Sequence, residues 1–232
     1  MLPDFRAFFS GHFTFSHRST VNSRLLLLLI SAFVLGCIGR VAYALPSDKE
    51  QEIRIAANTA TLDQRKGVTI YSGDVQFSQG SLVLKADTVI AHFNADTQKI
   101  EKIEAHGSPA RYQQQPEINK GVMVIEAKSV VALFDNDTQK IGKIEALGSP
   151  ARFEQQPSLD KGVITAKAEN INYLPDHQRL LLVNNASLEQ DGASMNANEI
   201  TYDLLKEVMQ AAGNTQSEQQ RIEIIIPPQT TP

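Results

Sequence analysis

The chain has 232 residues, 42% hydrophobic and 21% charged, with formal net charge −4, 13 Gly, 10 Pro, one Cys and no Trp. An ordinary apolar fraction, with Gly and Pro together near a tenth of residues, excludes a collagen-like or broadly disordered chain. The acidic balance argues against a phosphate-neutralising nucleic-acid surface, and one Cys supplies neither an internal disulfide nor a thiolate-rich zinc site.

In chain order, Arg18 and Arg24 precede an apolar run over residues 25–37, and Ala42, Tyr43 and Ala44 follow. A basic segment, a short apolar core and a small-residue end predict a secretory signal peptide over residues 1–44, cut after Ala44. The run falls short of the roughly 20 apolar residues of a membrane span. Val34, Leu35, Gly36 and Cys37 allow a second reading, a lipoprotein signal, against which stand the bulky Leu35 and the nearby Arg40. Cleavage at Ala44 leaves about 188 cysteine-free residues with 18 basic and 25 acidic groups. That length suffices for one domain with a substantial core, expected over residues 45–228 with a disordered tail at 229–232.

The domain reads as tandem strands. Residues 96–116 and 137–157 agree at 17 of 21 positions, 41 residues apart, which marks a duplicated unit over about 80–120 and 121–161. A wider pattern places apolar residues at −4, −2, +3 and +5 around Ala57, Ala86, Ala127, Ala168 and Ala197, spaced by 29, 41, 41 and 29. The first two positions share a strand face with the Ala, whereas +3 and +5 have the opposite parity. Both sets can face one interior only if an odd residue is absorbed at a bulge or corner just after the Ala. Gly, Asp and Asn punctuate the runs, as in an antiparallel all-β domain. Residues 202–213 carry helix formers before a Gly, but the repeat phase predicts strand, turn, strand there.

Several segments in order resemble the LptA/OstA-like family of lipopolysaccharide transport proteins. They are Ile53, Arg54 and Ile55; residues 71–80; residues 82–87; Gly107, Ser108, Pro109, Ala110, Arg111 and Tyr112; residues 184–190; Ile200, Thr201 and Tyr202; and residues 222–227. The family pattern has one Gly-x-Pro-Ala turn, and here there are two, at Gly107 and Gly148.

The resemblance implies an open antiparallel β-jellyroll whose apolar groove binds lipid A acyl chains and carries lipopolysaccharide across the periplasm. The side chains it points to are Ile53, Ile55, Phe77, Leu82, Leu84, Tyr112, Phe153 and Tyr173, although any β-sandwich core would use the same residue types. Edge strands at Ile53, Arg54 and Ile55 and at Ile222, Ile224 and Ile226 would pair head to tail with another copy, or with inner-membrane LptC-like and outer-membrane LptD-like domains. Basic residues at Lys99, Lys102, Arg111 and Lys120, repeated at Lys140, Lys143, Arg152 and Lys161, suit either cargo phosphates or a solvated strand face. His92, His106 and His177 are dispersed, and the sequence holds no hydrolase, P-loop, metal or dinucleotide motif, so no catalytic residue, metal or cofactor is expected. Two other readings stay open: a membrane-tethered OstA-like partner of the same export pathway, and a periplasmic β-repeat scaffold that binds no lipid.

Overall fold

Among the described residues, alternation of apolar and polar residues builds twelve strands: β1 (Ile53–Ala56), β2 (Thr59–Asp63), β3 (Val68–Gln79), β4 (Leu82–Phe93), β5 (Ile100–Gln114), β6 (Met123–Phe134), β7 (Ile141–Gln155), β8 (Ile164–Leu174), β9 (Arg179–Gln190), β10 (Ala193–Asp203), β11 (Val208–Ala212) and β12 (Glu223–Ile225). Single-turn 3-10 segments occupy Asp48–Glu50 and Pro175–His177. The computed structural model describes residues 48–115, 121–158, 160–213 and 221–228, all within one compact unit, Pro46–Pro232. The expected signal peptide with Cys37, the expected tail at 229–232, and Lys120 lie outside the described residues.

All twelve strands belong to one antiparallel sheet that does not close on itself, and β3 to β10 follow in sequence order. Each of these eight long strands bends midway, so the sheet folds into two halves. The first half takes the N-terminal parts of β4, β6, β8 and β10 and the C-terminal parts of β3, β5, β7 and β9; the second half takes the rest. At one end the halves are edged separately, because β1 pairs with Gln76–Gln79 of β3 and β2 pairs with Val68–Ser72. The other end repeats the arrangement: β12 pairs with Ser194–Asn196 of β10, and β11 with Glu199–Asp203.

The bend is where the parity argument puts it. In β4, Leu84, Ala86, Val89 and Ala91 are buried while Lys85 and Asp87 are exposed, and the register shifts between Lys85 and Thr88. β6 and β8 bend likewise after Ala127 and Ala168. The partner strands absorb more residues: Gly73 and Asp74 on β3, Gly107 to Pro109 on β5, Gly148 to Pro150 on β7, and Asn184 and Asn185 on β9. Asp74, Asn184 and Asn185 adopt positive φ, a conformation Asn and Asp tolerate better than most residues. Ala86, Ala127, Ala168 and Ala197 are buried inside the bend, where a larger side chain would overpack.

Turn chemistry closes the hairpins. Asp191 and Gly192, both at positive φ, join β9 to β10 as the two-residue Asp-Gly hairpin requires. In the turn between β4 and β5, the amide of Gln98 donates to the Asn94 carbonyl (2.8 Å) and that of Thr97 to Asn94 Oδ1 (3.0 Å). One unit later, Asp135, Thr138 and Gln139 reproduce these bonds at 2.8 and 2.9 Å. Residues 202–213 are strand, turn, strand, as the repeat phase predicts: tertiary pairing of β11 to β10 overrides the local helix propensity.

Candidate functional site: an apolar cleft between the half-sheets

The inner face is organised in rows across the strands. One row of the first half runs Ile55, Phe77, Leu84, Tyr112, Ile125, Phe153, Ala166, Leu188, Met195 and Ile224. Opposite it, a row of the second half runs from Leu62 through Ile103, Ala132, Ile144, Tyr173 and Tyr202 to Met209. Where the rows meet in the middle and C-terminal strands, they seal. Phe153, Ile164, Ile171, Leu180, Leu182 and Ile200 are each 0% exposed. The rings of Phe153 and Tyr173 pack across the halves with centroids 5.7 Å apart and planes at 44°.

Toward the N-terminal end the halves leave a cleft of about 540 Å³. Ile53, Phe77, Leu82, Leu84 and Tyr112 line it from the first half; Ile100, Ile103, Phe134 and Ile141 line it from the second. Ile53 is 48% exposed and Phe77, Leu82, Ile103 and Ile141 are half-buried, so apolar surface here is unmatched by protein. Of the eight side chains singled out from the sequence, five therefore converge on one cavity. Ile55 shares the row but lies on the exposed edge strand, and Phe153 and Tyr173 have no open face, because the facing half-sheet covers them.

A polar clasp stands at the cleft's rim. Asp48 Oδ1 accepts from the Ser81 amide (2.7 Å), and its Oδ2 accepts from the Ser81 hydroxyl (2.8 Å) and the Gln114 amide (3.0 Å). Partial burial works against ionisation of Asp48, but these bonds outweigh it and hold the carboxyl below its ordinary value. A Cβ on Gly80, which sits at φ +58°, would come within 2.2 Å of Asp48 Oδ1, so only glycine lets the clasp close. Tyr112 places its ring in the cleft and donates its hydroxyl to Gln114 Oε1; burial pushes its phenol well up, so it stays neutral.

Sequence reasoning missed the second-half lining and the glutamines at the rim. Ile100 and Ile141 occupy equivalent places in the duplicated unit, and Ile103 is two residues before the inward Ala105, so parity and period carried the signal. The basic residues lie mostly elsewhere. Lys102 and Lys143 pair on the outer face with Glu104 (2.7 Å) and Glu145 (2.5 Å), Arg111 with Glu126, and Lys161 with Glu207. Lys140 is at the cleft's margin. Among the described residues there is no group of three or more His, Cys, Asp or Glu placed to hold a metal, and no helix long and apolar enough to cross a membrane.

The edges complete the site's setting. On β1, Ile53 and Ile55 are exposed; at the other end Ile222, Ile224 and Ile226 are 45%, 56% and 76% exposed. Arg54 is held by Glu52 at 2.9 Å. Ile224 is in β12 itself, with Ile222 and Ile226 flanking that three-residue strand.

An open antiparallel sheet bent into two half-sheets, apolar within and with free edge strands at both ends, is an open β-jellyroll. The chain belongs to the family described as LptA/(LptD N-terminal domain) LPS transport protein, whose sequence model matches residues 54–124 and again 117–208. Each match contains one copy of the duplicated unit. The chain is 30% identical over 192 residues to the lipopolysaccharide export system protein LptH of Pseudomonas aeruginosa, covering 81% of this chain and 86% of that protein. Lipopolysaccharide export system protein LptA of Haemophilus influenzae is 29% identical, over 82% and 86% respectively. The crystal structure of LptH, titled the LptA-homologous periplasmic component of the lipopolysaccharide transport device of Pseudomonas aeruginosa, aligns at 27% identity and TM-score 0.44 over 79% of this chain and 100% of that one.

Proposed function

We propose that this chain is a periplasmic lipopolysaccharide-binding protein, that acyl chains occupy the cleft between the half-sheets, and that copies joined end to end bridge the inner and outer membranes. The observation that carries the reading is the cleft itself: about 540 Å³, apolar on both walls, polar at the rim. That volume is typical of ligand sites, which run from roughly 300 to 1,000 Å³. An acyl chain of about a dozen methylenes gains ~0.8 kcal/mol for each one removed from water, roughly 10 kcal/mol in all. Binding of that size needs no polar clamp. Ile53, Phe77, Leu82, Leu84 and Tyr112 are the proposed contacts from the first half-sheet, met by Ile103, Phe134 and Ile141 from the second.

Strand parity supports the bridge. In each half the two edge strands run antiparallel to one another: β1 against β12, and β2 against β11. A second copy set end to end therefore meets an antiparallel neighbour in both halves at once, and the cleft continues across the joint. The duplicated unit adds two strands, which lengthens the protomer and leaves this parity unchanged. Inner-membrane LptC-like and outer-membrane LptD-like domains would use the same edges. Membership of this family, and the likeness to an export-system protein over most of both chains, agree with an exported, non-enzymatic carrier.

A photo-crosslinking residue at Phe77, inside the cleft, is expected to form an adduct with lipopolysaccharide in cells. The same residue at Lys85, one strand away on the outer face, is not. Equal labelling at both, or none at either, would remove the cleft from the account.

A further inference from the structure

A second concavity lies on the opposite surface of the sheet, along the bend. A trough of about 980 Å³ crosses β4 to β9 there. The duplication builds it periodically: Thr88 and Ser129 take the same place on β4 and β6, and Ser108 and Ser149 the same place on β5 and β7, in each case 41 residues apart. Charges alternate along it, with Asp87, Lys128 and Glu169 at the single bend residue of β4, β6 and β8. Among the described residues, the side chains of Thr88, Ser108, Lys128, Ser129 and Ser149 have no hydrogen-bond or ion-pair partner. The floor is kept bare by Gly107 and Gly148, where a Cβ would come within 2.9 and 3.0 Å of the next alanine's backbone nitrogen.

Beside these polar groups stand two flat or apolar contacts one unit apart, the His106 ring and Leu147, the latter 45% exposed on an outer face. Hydroxyls, the amides of Asn170 and Asn184, and charges of both signs, interleaved with small apolar patches, match a ligand whose rim is polyhydroxylated and whose ring faces are carbon–hydrogen surfaces. Lone sulfate or phosphate does not fit that lining, because Asp87 and Glu169 flank the one lysine. Each two-strand unit advances about 9.5 Å across the sheet, the scale of one disaccharide in an extended β-linked glycan.

We propose that this trough binds an extended β-linked glycan, one disaccharide per duplicated unit, with Ser108, Ser129, Ser149 and Lys128 bonding its hydroxyls and His106 and Leu147 covering its ring faces. The site is on the outside of the sheet and does not depend on the cleft. A β-linked amino-sugar glycan of the cell wall has this chemistry.

The test is a ¹⁵N NMR titration of the whole chain with three probes: a β-1,4-linked N-acetylglucosamine hexamer, its α-linked glucose counterpart, and the acyl-free saccharide of lipopolysaccharide. Saturable shifts at Ser108, Ser129 and Ser149 with the β-linked hexamer, and not with the α-linked one, are expected and point to a wall glycan. The same shifts with the acyl-free saccharide but not with the β-linked hexamer would overturn the assignment to an extended β-linked glycan. Leu147→Ser removes a single apolar surface contact, so it should weaken binding about fivefold, roughly 1 kcal/mol by the affinity scale, while the thermal midpoint stays put. Absence of shifts with all three probes, shifts confined to the cleft around Phe77 and Leu82, or full binding by Leu147→Ser would each overturn the proposal.

Discussion

Replacing Phe153 by alanine removes a ring that has no exposed surface and packs 5.7 Å from Tyr173 across the two half-sheets. Its row neighbours Ile125 and Ala166 are also fully buried and anchored in the backbone ladder, so the site cannot collapse to fill the space. Deletion of a buried aromatic in such a setting costs ~3–5 kcal/mol. In a domain of this size each kcal/mol lowers the melting midpoint by ~2–4 °C, which puts the expected drop at about 10 °C. Phe77→Ala removes the same ring from the half-buried wall of the cleft, where solvent already reaches it, and should cost less than half as much. Thermal melts followed by circular dichroism, with urea midpoints as a second readout, compare the two directly. Equal destabilisation by the two substitutions would refute the division of the interior into a sealed core and an open cleft.

Other outcomes follow from the edges and the rim. Ile224→Lys puts a charge on the exposed inner position of β12; light scattering should show end-to-end oligomers reduced to monomers with the melting midpoint within about 2 °C, since surface changes are nearly neutral, and undiminished oligomers would exclude this edge from the joint. Asp48 has its pKa lowered in the folded chain, so its contribution is present above the unfolded value near 4 and is lost as pH falls through the folded value. Asp48→Ala should therefore lower the melting midpoint at about pH 7, and the gap to the unsubstituted chain should narrow as the pH falls below about 4; a gap that stays constant as the pH falls would show that the carboxylate's charge does not hold the clasp.

Much of this architecture was written in residue parity. The switch of apolar positions from −4 and −2 to +3 and +5 around Ala86, Ala127 and Ala168 located the bend, and the same phase continued around Ala197 predicted strand, turn, strand over residues 202–213 despite their helix formers. What parity cannot register is which part of the interior stays open. Phe77 and Phe153 sit in the same row with the same inward orientation, yet one meets the cleft and the other a sealed core. The difference lies in what faces them: Phe153 meets Tyr173 from the other half, whereas the wall opposite Phe77 stands off. That is a property of the distance between half-sheets, which no local pattern encodes. The Asp48 clasp was invisible for a related reason, since Asp48, Ser81 and Gln114 are brought together only by the sheet. The exposure of Ile53 and Ile224, by contrast, follows from their being the last strands of a repeat.

The central claim is that hydrocarbon enters the cleft, and a nitroxide at Leu82 reads this most directly. With Cys37→Ser the sequence has no other thiol, so Leu82→Cys takes a single label. Addition of lipopolysaccharide should immobilise that label and shield it from a water-soluble paramagnetic relaxant, while a label at Lys85 on the outer face stays mobile and accessible. An unchanged spectrum at Leu82 with lipopolysaccharide in excess, or immobilisation at Lys85 instead, would contradict the account.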